Sequence, residues 1–311
     1  MTERLQGIRR ASIIGLWGNA VLSATKICAG IVAGSLAVLG DGIDSAADVV
    51  ISLMTLFVSR YMMKPSDREH PFGHGRAETI ATTIVAFIVF FAGAQLLFRS
   101  IGDLAGGMVK EVPHSLALYV TGFSIAGKLL LAFSQAKAGK KYKSEMLSAN
   151  AKNMQTDVLI SVAVLAGLIF TFILDMPILD PICALIVSLW ILKAGLGIFR
   201  TVNLELMDGT ADTNLYRTIF EAVHNVEGAA RPHRTRIRKI ANLYDIVLDI
   251  EVDPGMRLYQ AHEIAVSVEN AIREKIDNVF DIMVHLEPKG NAETNESYGL
   301  CETEIDKAEE T

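Results

Sequence analysis

The chain has 311 residues, 51% of them hydrophobic, and a formal net charge of −6 at pH 7. Apolar residues are concentrated before about residue 200 and charged residues after it, which favours a membrane domain followed by a soluble one. The soluble part is acidic and has no basic stripe, so a nucleic-acid-binding role has no support.

Six apolar segments reach the length of about 20 residues that a membrane-spanning helix needs. They lie near residues 11–33, 36–60, 78–101, 113–136, 154–174 and 179–199. The polar N-terminus, MTERLQGIRR, shows no cleavage site after the first segment, so we expect the first helix to remain in the protein.

Basic residues cluster on one side of this six-span arrangement. They occur in the N-terminus and in the loops after the second and fourth segments, as Arg4, Arg9, Arg10, Lys64, Arg68, Arg76, Lys137, Lys140, Lys141 and Lys143. By the positive-inside rule, both termini and the soluble region are predicted to be cytoplasmic. We therefore expect a multi-pass protein of the cell membrane, either a bacterial inner membrane or a plasma membrane.

Pairs of oxygen ligands occur inside two of the apolar segments. Asp44 and Asp48 lie four residues apart in the second segment. Asn153 and Asp157 repeat this spacing where the fifth segment begins. Residues four apart share one face of a helix, and a carboxylate at the bilayer centre costs roughly 2.5–3.5 kcal/mol, so we expect a common partner. The four side chains predict a cation site for metal transport, although a single such residue could instead cap a helix, anchor a hydrogen bond or form half of an ion pair.

Asp41, Lys26 and Lys128 are further charged residues inside the apolar segments. Asp41 precedes Asp44 by three residues, and it could act as a gate, as a proton site or as a partner of a ligand. Lys26 could pair with a carboxylate, or Lys26 and Lys128 could extend to the membrane interface.

The predicted intramembrane site offers only oxygen ligands, three carboxylates and one amide. Oxygen ligands suit manganese and magnesium, whereas imidazole suits zinc, copper and nickel. The composition of the site therefore favours manganese or another hard divalent cation, and zinc stays possible because carboxylates also bind it.

The loop after the second segment carries a second candidate site. Asp67, His70 and His74 are spaced so that their side chains could meet at one cation, and the glycines at positions 73 and 75 permit tight turns. The alternative is a surface loop in which the histidines have no metal-binding role.

Residues 205–290 predict a small α+β domain. An amphipathic helical pattern precedes two strand patterns, a second amphipathic helix and a last strand that ends at Pro288. This order fits a ferredoxin-like sheet backed by two helices. We therefore predict an α-helical membrane domain with six transmembrane helices over residues 1–204, a cytoplasmic domain over residues 205–290, and a disordered acidic tail over residues 291–311.

Histidines and carboxylates recur in the predicted α+β domain. His285 and Glu287 fall on one face of the last strand, and Asp249 lies in the strand expected beside it. His233 lies in the preceding strand, and His262 lies near the start of the second helix. These side chains could form a cytosolic metal site, or they could remain solvated on the domain surface.

These motifs resemble those of the cation diffusion facilitators, a family of six-span divalent metal/proton antiporters that work as homodimers. The resemblance runs from the first apolar segment to the end of the α+β domain. DSAAD and NMQTD resemble the two ligand pairs of that family, and HPFGHGRAE resembles its loop. AHEIA and VHLEP resemble its cytoplasmic, dimer-forming domain.

The resemblance implies a role for each candidate residue. It implies a transport site formed by Asp44, Asp48, Asn153 and Asp157. It implies a loop site formed by Asp67, His70 and His74. It also implies a cytoplasmic site at the dimer interface, formed by Asp249, His262, His285 and Glu287, with His233 near it. Arg76 and Asp208 would form a charge interlock between subunits at the membrane surface.

Three positions depart from the pattern of the family. Zinc-type members usually carry His where this chain has Asn153, which favours manganese. In the cytoplasmic site, Asp249 stands where a His often occurs, and His233 is offset from its usual position. We therefore expect that site to be weaker, differently occupied or selective for another ion.

The predicted function is export of a divalent cation in exchange for protons by alternating access. Manganese is favoured, with zinc, iron(II), cobalt or cadmium as other possible substrates, and metal would also act as a regulator. The expected partners are a second copy of the chain and the lipid bilayer. The alternative is a membrane-bound sensor that binds metal without translocating it. No enzymatic activity is predicted, because HPFGH lacks the glutamate of the H-E-x-x-H motif.

Overall fold

The computed structural model describes residues 3–62, 64–106, 112–142, 144–209, 212–240, 243–290, 298–302 and 304–305. The chain divides into two compact units. The first comprises Met1–Met63 and Ile80–Arg200, and the second comprises Lys64–Thr79 and Thr201–Thr311. The loop after the second helix thus belongs with the C-terminal part of the chain, which the hydropathy pattern did not indicate.

Among the described residues, six long helices dominate the first part of the chain. They are α1 (Glu3–Ala33), α2 (Leu36–Met62), α3 (Ala77–Ala105), α4 (Leu116–Tyr142), α5 (Glu145–Leu174) and α6 (Leu179–Leu206). All except α2 are long and apolar enough to cross a membrane. Over its described residues, α2 does not meet the same criterion, so the sixth predicted span is not confirmed.

Several of these helices continue beyond the apolar segments that predicted them. The fifth segment was predicted from residue 154, whereas α5 begins at Glu145. Ser144 caps this helix, because its side chain accepts a hydrogen bond from the backbone N–H of Leu147. Hydropathy reports only the apolar part of a helix, and backbone hydrogen bonding continues into its polar end. Asn153 therefore lies well inside α5 rather than at its start.

Helices α1 and α2 approach each other closely. A Cβ atom on Gly30 would lie 2.6 Å from the backbone nitrogen of Leu39, and one on Gly42 would lie 2.9 Å from the backbone nitrogen of Ile27. The Ser23 hydroxyl donates a hydrogen bond of 3.0 Å to the Gly42 carbonyl. This contact brings the aspartates of α2 against the polar residues of α1.

The apolar core of the first unit joins several helices. It contains Val38 of α2, Val85 of α3, Leu168 of α5 and Ile191 of α6, all nearly inaccessible. Large apolar side chains on the outer helix faces remain exposed, as expected where the surroundings are lipid rather than water.

The described part of the C-terminal domain contains two long helices and a three-stranded sheet. Its elements are α7 (Thr213–His224), β1 (Ala230–Ile240), β2 (Leu243–Val252), α8 (Leu258–Lys275) and β3 (Val279–Pro288). The sheet order is β1-β2-β3, with β1 antiparallel and β3 parallel to β2. The predicted order of helix, two strands, helix and strand is confirmed. The helices cover one face of the sheet, and Ile219, Ile246 and Ile272 lie in the core between them.

Part of the predicted disordered tail packs on this domain. Leu300 forms an antiparallel bridge with Thr235 of β1, through N···O hydrogen bonds of 3.0 and 2.9 Å. Ile305 is 2% exposed and belongs to the domain core. These residues differ from the predicted disorder because β1 is an edge strand that offers free backbone groups to the tail. Residues 291–297, 303 and 306–311, the remainder of the predicted tail, lie outside the described residues.

Candidate metal sites

The structure brings the aspartates of α2 towards Asp157 of α5. Asp157 is buried, the Asp48 side chain lies within hydrogen-bonding reach of it, and Asp44 lies within range of its charge. Asn153 is exposed one helical turn before Asp157. Across the described part of the chain, the three carboxylates do not form a group whose ligand atoms all lie within 4.8 Å of one another. The geometry is therefore that of an open site between α2 and α5.

Two lysines occupy the space between these acids. Lys128 of α4 lies with its Nζ 2.8 Å from an oxygen of Asp157, and Lys26 of α1 lies at the same distance from Asp41. The lysines are 2% and 1% exposed. Of the two alternatives for Lys26, the structure thus shows the ion pair with a carboxylate. Both lysines are enclosed by the protein.

Serine hydroxyls link the two lysine–aspartate pairs. Ser45 of α2 accepts hydrogen bonds from Lys26 at 3.4 Å and from Lys128 at 3.2 Å. Ser161 of α5 accepts from Lys26 at 2.8 Å and donates to Asp41 at 2.8 Å. The serines were not identified from the sequence, although each is on the same helix face as an aspartate three or four residues away. Asp41 is thus held by Lys26 and Ser161 beside the open site.

The loop residues Asp67, His70 and His74 meet as their spacing predicted. One oxygen of Asp67 lies 3.4 Å from Nδ1 of His70, and the other lies 3.3 Å from Nε2 of His74. Ligand atoms of all three side chains lie within 4.8 Å of one another. Gly73 has a φ of 78°, a conformation that glycine adopts without strain and that folds the loop back on itself.

Backbone hydrogen bonds keep the loop carboxylate ionised. The backbone N–H of His70 donates to Asp67 at 2.7 Å, and that of Glu69 donates at 3.0 Å. These bonds, with that of His70 the stronger influence, lower the pKa of Asp67 below its usual range. The loop therefore presents a charged oxygen ligand beside two imidazoles, a set that suits a divalent cation.

The same loop is attached to the rest of the second unit. The Arg76 guanidinium pairs with Asp208 and donates a hydrogen bond of 3.3 Å to the carbonyl of Glu205. Phe72 lies under the guanidinium of Arg238, 4.7 Å from ring centre to carbon. The Arg76–Asp208 pair forms within one chain here, and the interlock between subunits that the resemblance implies stays a prediction.

The candidate residues of the sheet lie side by side. In the strand register, Asp249 of β2 is opposite His233 of β1 on one side and His285 of β3 on the other. Nε2 of His233 lies 3.3 Å from an oxygen of Glu287. His233, Asp249 and Glu287 are buried, and their ligand atoms lie within 4.8 Å of one another. We call these three residues the sheet cluster.

The other two predicted cytoplasmic ligands lie outside the sheet cluster. The His285 side chain is 61% exposed, with Nε2 3.8 Å from an oxygen of Glu287. His262 is exposed on α8 and is not part of the group of close ligand atoms among the described residues. His285 thus lies close enough to join the cluster by a small movement of its side chain.

Arg234, which was not identified from the sequence, forms ion pairs with the sheet cluster. Nη1 of Arg234 lies 3.0 Å from Asp249 and 3.7 Å from Glu287. Arg234 also donates a hydrogen bond to the phenol of Tyr298, and its guanidinium lies 4.8 Å from the centre of that ring. The basic run RPHRTRIRK signals arginines on β1, but the partners on β2, β3 and the tail depend on the fold.

A neighbouring ion pair also stabilises the sheet. Burial opposes ionisation of Glu251, but the hydrogen bonds from Arg231 at 2.8 Å and from the backbone of Gly290 at 3.2 Å outweigh it. Together they hold the pKa of Glu251 below its usual range.

Two family descriptions account for almost the whole chain. Residues 12–207 match the cation efflux transmembrane domain. Residues 211–289 match the cytoplasmic domain of cation efflux proteins. The division between the two matches falls at the end of α6.

Similar proteins occur in bacteria and plants. The chain is 30% identical to the manganese efflux system protein MneP of Bacillus subtilis, over 92% of this chain and 98% of that protein. It is 30% identical to metal tolerance protein 2 of Oryza sativa, over 88% of this chain and 76% of that protein. It is also 30% identical to the magnetosome protein MamM of Magnetospirillum gryphiswaldense, over 90% of this chain and 88% of that protein.

A solved structure resembles the C-terminal domain. The metal-bound C-terminal domain of the CzcD transporter from Thermotoga maritima is 36% identical, over 26% of this chain and 93% of that one, with a TM-score of 0.25.

Proposed function

The chain belongs to the cation efflux family, the cation diffusion facilitators, and we propose that it exports a divalent metal cation in exchange for protons. The observation that carries the proposal is that Asp157 on α5 lies within hydrogen-bonding reach of Asp48 and within range of the charge of Asp44, both on α2. Carboxylates within apolar helices are expensive unless they serve a cation pathway or have partners. Together with Asn153, they are the proposed transport site.

Manganese is the substrate that we favour. The proposed ligands are all oxygen atoms, which suit manganese better than zinc. Two of the relatives, MneP and MneS of Bacillus subtilis, are named as manganese efflux proteins. Zinc, iron(II), cobalt and cadmium remain the competitors to be compared.

Proton exchange would follow from the chemistry of the ligands. A metal ion binds carboxylates in their deprotonated form, so its arrival releases any protons they carry. On the far side of the membrane, protons would compete with the ion and release it. Movement of α2 against α5 would alternate access to the site, with α2 as the sixth membrane span.

The remaining candidate residues would serve regulation and assembly. We propose that the loop residues Asp67, His70 and His74 bind a metal ion, and that the sheet cluster binds another. Two chains would form a homodimer in the cell membrane with both termini in the cytoplasm. Metal at the C-terminal domains would favour the closed dimer because it binds that state more tightly.

The test is metal uptake into proteoliposomes that carry a pH gradient, with manganese, zinc, iron(II) and cobalt compared. Wild type should move manganese, and dissipation of the gradient should slow it. Asp157→Asn should abolish transport. Asp175→Asn is the matched control, because Asp175 lies at the end of α5 with a φ of 49°, which Asn tolerates.

Two outcomes would contradict the proposal. Full transport by Asp157→Asn would remove Asp157 from the site. Metal binding by the wild type without any uptake would favour the alternative function, a membrane-bound metal sensor.

A further inference from the structure

Lys128 is placed to act as a cation built into the transport site. It is 2% exposed within α4, and its ammonium group lies 2.8 Å from Asp157, the most buried of the proposed ligands. We propose that Lys128 occupies Asp157 while the site holds no metal and is displaced when a divalent cation binds there. This inference rests on the proposed function and adds a residue that sets the affinity of the site for metal.

Charge balance supports the proposal. The buried region holds four aspartates, Asp41, Asp44, Asp48 and Asp157, and two lysines, Lys26 and Lys128. With all six groups charged, four negative and two positive charges leave a net charge of −2. One divalent cation neutralises that remainder. Without the lysines, a single divalent cation would leave two negative charges uncompensated in a region of low dielectric constant.

The two lysines differ in how they are held. The Ser161 hydroxyl forms hydrogen bonds of 2.8 Å with both Lys26 and Asp41, so it links the two members of that ion pair. Lys128 and Asp157 have no such shared partner among the hydrogen bonds found in the described residues. Lys26 therefore has the environment of a permanent counter-ion, whereas Lys128 has that of an exchangeable one.

Lys128 already has a second acceptor, which it can keep when it leaves Asp157. The Ser45 hydroxyl lies 3.2 Å from its Nζ and belongs to α2, between the two proposed metal ligands of that helix. The ammonium group can therefore stay hydrogen-bonded while the metal takes its place on the carboxylate. Breaking a buried ion pair without a replacement is strongly destabilising, and this exchange limits the loss because Asp157 gains the metal ion while Lys128 keeps its hydrogen bond to Ser45.

Competition of this kind has a measurable consequence. Removing the ammonium group should make metal binding tighter, because the ion no longer displaces a cation. In proteoliposomes, Lys128→Met should lower the manganese concentration for half-maximal uptake by about tenfold, equivalent to about 1.4 kcal/mol. Lys128→Arg retains the charge and should stay near the wild-type value. Lys193→Met, an exposed lysine on α6, is the matched control and should change nothing.

A purely structural lysine would behave differently. Its loss would reduce the protein yield or the maximal rate of uptake without lowering the manganese concentration for half-maximal uptake. An unchanged or raised half-maximal concentration in Lys128→Met, with wild type transporting normally, would overturn the inference. Absence of transport by the wild type would instead contradict the proposed function itself.

A second measurement uses only the wild type, in case Lys128→Met and the milder Lys128→Gln both fail to fold. Reductive methylation followed by peptide mass spectrometry reports how accessible each lysine is. Manganese should increase methylation of Lys128, while Lys26, held by Asp41 and Ser161, should stay protected. Equal protection of Lys128 with and without manganese would overturn the inference.

Discussion

At the scale of single residues, Asn153 is the position that most directly tests the metal preference. It is the one neutral ligand in the proposed transport site, and it lies one helical turn before Asp157 on α5. Its exposure leaves room for a larger side chain. The other three proposed ligands are carboxylates, so a change at this position alters the type of ligand without altering the number of charges.

We predict that Asn153→His shifts transport from manganese towards zinc. An imidazole nitrogen suits zinc better than an amide oxygen does, so the ratio of zinc to manganese uptake should rise by roughly tenfold. The measurement is competitive uptake in proteoliposomes. Asn153→Gln is the control, because it keeps the amide. A wild type that already prefers zinc would contradict the argument from oxygen ligands.

Glu251 allows a prediction on pH dependence. The pKa of Glu251 is lower in the folded protein than in the unfolded chain, where it is about 4.3. The ion pair with Arg231 therefore stabilises the fold at pH values above about 4.3, and this stabilisation is lost as the pH falls below that value. At pH 7, Glu251→Gln should cost about 1 kcal/mol, since Arg231 is half exposed.

Hydrogen exchange of β2 in the full-length protein would measure that cost. The difference between wild type and Glu251→Gln should be present at pH 7 and shrink towards pH 3.5. Glu274→Gln, at an exposed position of α8, should show no difference at either pH. A cost that grows as the pH falls would show that the sign is wrong.

At the scale of helices and strands, local pattern and long-range pairing differ in how well the sequence predicts them. The spacing of Asp67, His70 and His74 predicted their meeting, because a tight loop brings residues three and four apart together. The strand order predicted that Asp249 lies beside His285. By contrast, two ion pairs join segments that are distant in the sequence, Arg234 with Asp249 and Lys128 with Asp157. The sequence offers several basic residues for each aspartate, so it did not predict which of them forms the pair.

The contact between α1 and α2 can be tested at Gly30. A Cβ atom there would lie 2.6 Å from the backbone of Leu39, so Gly30→Ala should force the helices apart and destabilise the protein by about 1–3 kcal/mol. Gly122→Ala in α4 is the matched control, since no atom lies within 4 Å of its added Cβ. Thermal unfolding in detergent should show a lower transition temperature for the first variant only. Equal transitions would mean that the helices do not pack this closely.

At the scale of the whole molecule, each of the two units contains a basic side chain that forms an ion pair with a proposed metal ligand. Lys128 holds Asp157 in the first unit, and Arg234 holds Asp249 in the second. In both cases a metal ion would have to replace a cation that is already bound. The concentration at which metal acts would then depend on the strength of these internal pairs as well as on the ligands.

In the proposed homodimer, the pairing of Arg234 with the sheet cluster should set the metal concentration at which the C-terminal domains close. Arg234→Met removes the guanidinium from Asp249 and Glu287, so the sheet cluster should bind metal more tightly. The C-terminal domains should then close at a metal concentration that is lower by roughly tenfold. Distances between spin labels at Glu274→Cys in the two subunits, with the native cysteines replaced, would report closure. Arg236→Met is the control, because Arg236 also lies over Tyr298, at 5.0 Å, while its side chain is exposed. If both variants closed at the wild-type concentration, the arginine would not compete with metal, and the exposed His285 and His262 would be the next ligands to replace.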